Sequence, residues 1–86
     1  MINKKVEKSL NNQVKIEAES SQADLAMASW AECNGLNGIA MFLYEHSDEE
    51  RQHMLKLVKF INERGGKASI PQLSQPTNTF KGVRDI

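Results

Sequence analysis

The sequence predicts an all-α chain: an antiparallel two-helix hairpin followed by an extended C-terminal strap. Three observations carry this: apolar residues recur at three- and four-residue steps through two long segments, an Asn-Gly pair separates the segments, and both prolines fall after the second. The first series runs Val6, Leu10, Val14, Ser21, Leu25, Ala28 and Ala31, with one gap near position 17 or 18. No Gly or Pro interrupts it, and its Ala, Glu, Lys, Gln, Met and Leu lose little entropy in helical geometry, so a helix is predicted over 4–34. It ends at Asn34-Gly35, where glycine enters the left-handed conformation that closes a helix. The second series is Leu36, Ile39, Ala40, Leu43, Met54, Leu57, Val58 and Ile61, and it stops at Gly65-Gly66, giving a helix over 36–64. Met27, Met41 and Met54 are expected as core fillers, and Trp30 and Tyr44 as packing or interface residues. A turn this short folds the second helix back on the first. Residues 65–86 read as a strap, because Ile70-Pro71 and Gln75-Pro76 force extended geometry before each proline. A strap of this length is expected to travel along the hairpin, and Phe80 to Ile86 suffice only to begin another helix. Two amphipathic helices enclose no interior, so a third or fourth helical surface is required from a partner or from further chain.

Composition narrows the function. The chain has 86 residues with 11 Lys+Arg against 11 Asp+Glu, scattered through both halves, so no basic patch is expected to hold nucleic acid. Its hydrophobic fraction of 40% is near the globular norm, and no uncharged apolar run approaches the roughly 20 residues of a membrane span. Cys33 stands alone, which excludes an intrachain disulfide, and it is expected to be an unreactive small residue. Met1-Ile2-Asn3-Lys4-Lys5 leads into polar sequence with no apolar signal-peptide core, so a cytoplasmic location is expected. The length supports one small domain or part of one.

The informative residues are those that break the apolar stripes. Glu17 fills the gap in the first stripe, and Asp24 lies two turns further along nearly the same face. On the second helix His46, Glu50 and His53 interrupt the series between Leu43 and Leu57. Buried carboxylates are costly unless paired or bound to a metal. Glu17 precedes Gly35 by 18 residues and His53 follows it by 18, which places both about 27 Å from the turn at about 1.5 Å per residue. Glu50, one turn nearer Gly35 on the same face as His53, reaches the same level. One Glu from one helix and a Glu-x-x-His from the next make half of a carboxylate and imidazole site of the kind that suits iron or manganese. His46 is expected to be a partly exposed bundle residue. In Asp48-Glu49-Glu50-Arg51, a run expected to be solvated, only Glu50 is placed to turn inward.

Glu17-Ala-Glu-Ser-Ser, Leu25-Ala-Met-Ala-Ser-Trp30, Phe42-Leu-Tyr-Glu-His-Ser-Asp-Glu-Glu-Arg-Gln-His53 and Lys59-Phe-Ile-Asn-Glu-Arg-Gly-Gly66 give the chain, over all 86 residues, a resemblance to the N-terminal half of a prokaryotic-type ferritin. The resemblance implies half of a four-helix di-iron bundle, with Glu17 and His53 holding a first iron, Glu50 bridging two irons, and Glu49 helping to hold an accessory third. It implies Fe(II) binding, oxidation by O2 at the paired site, and ferric storage inside a shell of 24 subunits. Asp24 stands where the family usually has a Tyr beside the irons; it either adds an oxygen ligand or interrupts the oxidation step. The third and fourth helices of the family, with the remaining ligands of the second iron, have no counterpart in this sequence.

Two function classes follow. In the first, the chain binds iron and acts as a ferroxidase at a site completed by self-association or by ferritin subunits; two copies related by a two-fold axis would bring together two each of Glu17, Glu50 and His53. In the second it is a non-catalytic helical hairpin that associates through its apolar faces, or an inactive truncated ferritin fragment.

Overall fold

The computed structural model describes residues 1–85; Ile86, the last residue of the expected helix start, lies outside the described residues. Helix α1 spans Lys4–Cys33 and helix α2 spans Asn37–Glu63, packed antiparallel, and the described residues contain no strand. Helix α1 is shorter than expected by one residue, at its C-terminus, and α2 by two, one at each terminus. Asn3 caps α1, its side chain accepting a 2.9 Å hydrogen bond from the Val6 amide. The closure of α1 is the expected one. Gly35 adopts φ +75°, and the Leu36 amide donates back to the Ala31 carbonyl at 2.9 Å. Gly65 closes α2 in the same way at φ +81°, and there a side chain would also collide: an added Cβ would lie 2.6 Å from Met1 Cγ. The chain start is held at that end by the Ile2 amide, which donates to the Arg64 carbonyl.

The helices meet along a seam of small residues. Val14, Ala18, Ala28 and Ala31 of α1 and Ala40, Ser47 and Ile61 of α2 are buried. At its centre Ser21 and Ser47 exchange hydrogen bonds: Ser21 Oγ donates to the Ser47 carbonyl at 2.8 Å and Ser47 Oγ donates to the Ser21 carbonyl at 2.7 Å. Side chains this short let the two backbones approach closely, and the paired hydroxyls leave no buried donor orphaned.

The expected stripe needs correction. Val6 and Leu25 are exposed, and Met41, expected in the core, is 64% exposed. Phe42, Leu55 and Phe60 are exposed as well. Each helix carries more apolar surface than its neighbour covers, and the smaller residues win the seam because they allow the closer approach. The principal extents of 49 × 20 × 16 Å and the radius of gyration of 15.4 Å describe a rod. A globular chain of this length would have a radius of about 12 Å.

The strap returns from the far end of α2 along α1. Asn11 holds its first residues on both sides: its amide nitrogen donates to the Lys67 carbonyl, and its side-chain oxygen accepts from the Ser69 amide at 2.8 Å. Glu7 and Asn62 accept from the Lys67 and Ala68 amides. Pro71 and Leu73 then line an open cavity with Ala18, Ser21 and Met54, and Phe80 meets Trp30 edge-on at 5.7 Å near the turn. A single 3-10 turn at Val83–Asp85 follows.

Candidate metal centre

The polar residues that interrupt the stripes gather at two levels of the hairpin. At the level farther from the turn, His53 Nδ1 lies 3.9 Å from Glu17 Oε2, as the equal count from Gly35 requires. Glu17 is largely covered, while His53 stands on the exposed side of α2. One step nearer the turn, Asp24, His46 and Glu50 each offer a ligand atom, and these three atoms lie within 4.8 Å of one another. His46 Nδ1 is 2.6 Å from Asp24 Oδ2 and 3.5 Å from Glu50 Oε1. Glu49 is exposed on the solvated side of α2 together with Asp48 and Arg51, and Glu50 alone of that run turns inward.

Glu50 is the most perturbed group. Its side chain is only 13% exposed, and Oε1 has no hydrogen-bond partner. Burial, and then the neighbouring Asp24 carboxylate, push its carboxyl up to about 7; Ser20 and the His46 imidazole act in the opposite direction. His46 is raised above its ordinary value, chiefly by the hydrogen bond to Asp24, although partial burial opposes the shift. Two carboxylates held side by side with one orphaned oxygen are unfavourable without a cation, and a hard or intermediate divalent ion suits an oxygen-rich set with one imidazole.

The sequence profile of the Ferritin-like domain family matches residues 7–86. The chain belongs to the ferritin family. A probable bacterial non-heme ferritin-like protein of Haemophilus influenzae is 37% identical over 86 residues, which is 100% of this chain and 52% of that protein. The bacterial non-heme ferritin of Campylobacter jejuni is 35% identical over the same 100% of this chain and 52% of its own length. Among solved structures, Chlorobium tepidum ferritin superposes with a TM-score of 0.87 at 36% identity over 95% of this chain and 50% of that one. The open pore ferritin of Archaeoglobus fulgidus gives 0.89 at 28% identity, over 99% of this chain and 52% of its own. The chain thus spans about half the length of the ferritins it matches, and its hairpin is half of a ferritin four-helix bundle.

Among the residues singled out from sequence, the structure joins Glu17 to His53, and it joins Glu50 to Asp24. His46 is partly exposed, as expected, at 49%, but its contact with both Asp24 and Glu50 was not foreseen. A signal for it was present: Asp24 precedes Gly35 by 11 residues and His46 follows it by 11, the same symmetry that pairs Glu17 with His53. No helix among the described residues is long and apolar enough to cross a membrane.

Proposed function

We propose that this chain binds Fe(II) as a substrate and oxidises it with O2 for storage as ferric iron, at a di-iron site completed by a second copy or by ferritin subunits. The observation that carries this reading is the meeting of Glu17 and His53 across the hairpin, with Glu50 one turn away on the same side of α2, in a chain of the ferritin family. Glu17, Glu50 and His53 are the ligands, Glu49 serves an accessory ion at the exposed edge, and Asp24 adds a further oxygen beside Glu50. The donor set fits iron, and the orphaned Glu50 oxygen supplies a lone pair that no protein group uses.

One hairpin holds too few donors for two ions. Two copies about a two-fold axis supply four carboxylates and two imidazoles from Glu17, Glu50 and His53, enough for a pair of metals about 3.5–4 Å apart. Each Fe(II) would then give up one electron, and O2 would take the pair together with two protons and leave as hydrogen peroxide. Exposed Leu25, Met41, Phe42, Leu55 and Phe60 are the apolar surface available for association. The same surface favours the alternative, a non-catalytic hairpin that only associates. The reading assigns the chain to the cytoplasm, where Fe(II) is available.

Anaerobic titration with Fe(II), followed by native mass spectrometry, separates the two. Dimers or larger even assemblies with two irons per pair of chains, losing iron on Glu50→Ala, support the site. Assemblies that take up no iron, and that Glu50→Ala leaves intact, support the association module.

A further inference from the structure

We infer that Asp24, His46 and Glu50 form a metal subsite contained within a single chain, with His46 as its imidazole ligand, able to hold one divalent cation before any second chain completes the paired site. It extends the iron-binding reading to a residue which that reading leaves unused. The three donor atoms come from both helices and lie within 4.8 Å of one another. An ion about 2.1 Å from each of two ligands sets them about 3.0–3.4 Å apart at octahedral to tetrahedral angles. The distances from His46 Nδ1, 2.6 Å to Asp24 Oδ2 and 3.5 Å to Glu50 Oε1, bracket that range, so these two pairs need movements of only a few tenths of an ångström, and the third pair, Asp24 and Glu50, closes on the ion from within 4.8 Å.

The orphaned atom is independent support. Glu50 Oε1 is buried and without a hydrogen-bond partner, yet it faces His46 Nδ1. An ion seated between the three groups would supply its missing partner and replace the proton now shared by His46 and Asp24. Two carboxylates and one imidazole leave the remaining positions to water, which the half-exposed His46 admits. This oxygen-rich set with one imidazole is of the kind that takes Fe(II), Mn(II), Co(II) or Zn(II). Glu50 would be shared between this subsite and Glu17 with His53, so an ion here would occupy the place beside the paired centre.

The test uses the full chain, stripped with chelator and titrated anaerobically with Co(II), whose visible absorption reports ligation. We compare His46→Gln and Asp24→Asn with His53→Gln and Glu17→Gln; His46 and His53 are solvent-facing, and circular dichroism checks that helix content is unchanged. The expected result is one Co(II) per chain in the wild type, weakened roughly 100-fold or more by His46→Gln and Asp24→Asn, and changed less than about threefold by His53→Gln and Glu17→Gln. With Zn(II), the His46 ring resonances should shift at the first equivalent. Wild-type affinity in His46→Gln overturns the inference. So does a site lost in His53→Gln but kept in His46→Gln, although that result would support the paired ferroxidase site. Co(II) held through His46 without two irons per pair of chains would refute the paired site and leave the subsite standing.

Discussion

Replacing Glu50 by Gln should stabilise the metal-free protein at neutral pH while removing its iron ligand. The Glu50 carboxyl is raised from 4.5 to about 7. Between those values the folded chain holds a proton that the unfolded chain has released, so stability falls as pH rises through this window. Below 4.5 both states are protonated and the penalty vanishes; above 7 it is fully present. A shift of this size corresponds to about 3 kcal/mol as an upper figure. Glu50→Gln keeps the shape, removes the charge from beside Asp24, and gives the site an amide that needs no counter-ion. The advantage of the variant over wild type should therefore be near zero at pH 4 and approach its maximum at pH 8. Urea unfolding of chelator-treated protein at a series of pH values measures it. His46 titrates in the same direction, since its raised value means stability present at low pH and lost as pH rises through that value. Its main cause, the hydrogen bond to Asp24, is common to both proteins and cancels in the difference, while the smaller part due to Glu50 is lost in the variant. A variant no more stable than wild type at pH 8, or a difference independent of pH, would refute the account of Glu50 as a carboxylate buried without a partner.

The hydroxyl exchange across the seam should be strongly non-additive. Ser21→Ala and Ser47→Ala each lose about 1 kcal/mol in urea unfolding, and the double variant loses less than the sum because the two hydroxyls also touch each other at 3.1 Å, a contact that either single variant removes. Gly65→Ala should be more damaging than Gly35→Ala: both force a side chain to positive φ, at about 1–2 kcal/mol, but only position 65 also meets Met1. Thermal unfolding midpoints rank the two, and equal midpoints would contradict the contact. Asn11→Ala should release the start of the strap, so that the Ser69 amide exchanges with solvent much faster while the central amides of α1 and α2 keep their protection.

Much of the hairpin was legible because the relevant signals are local. Apolar periodicity without an internal Pro marks the helices, Gly35 and Gly65 mark their ends, and the two prolines mark the strap. The level of Glu17 and His53 followed from counting, since helix rise is constant. Which side of each helix faces the other was not legible. Leu25 and Met41 belong to apolar strips as regular as the one that is buried, and periodicity does not say which strip a neighbour will cover. That choice lies in side-chain size, with Ala18, Ala28, Ala31, Ala40 and Ser47 letting the backbones approach. Asn11 was silent because its function depends on a strap more than 50 residues away in sequence. His46 was read only as a partly exposed bundle residue, although its distance from Gly35 matched that of Asp24.

A seam built from alanines is nearly featureless along its length, and such surfaces tolerate sliding. Ser21 and Ser47 remove that freedom. If one helix slipped past the other by a heptad, about 10 Å, each hydroxyl would leave its partner carbonyl and be buried against methyl groups. The serine pair thus acts as a register key, as a single polar residue does in a coiled coil. The same slip would carry Asp24 away from His46 and Glu17 away from His53, so two neutral hydroxyls act with the short turn at Gly35 to hold these ligands at matching heights.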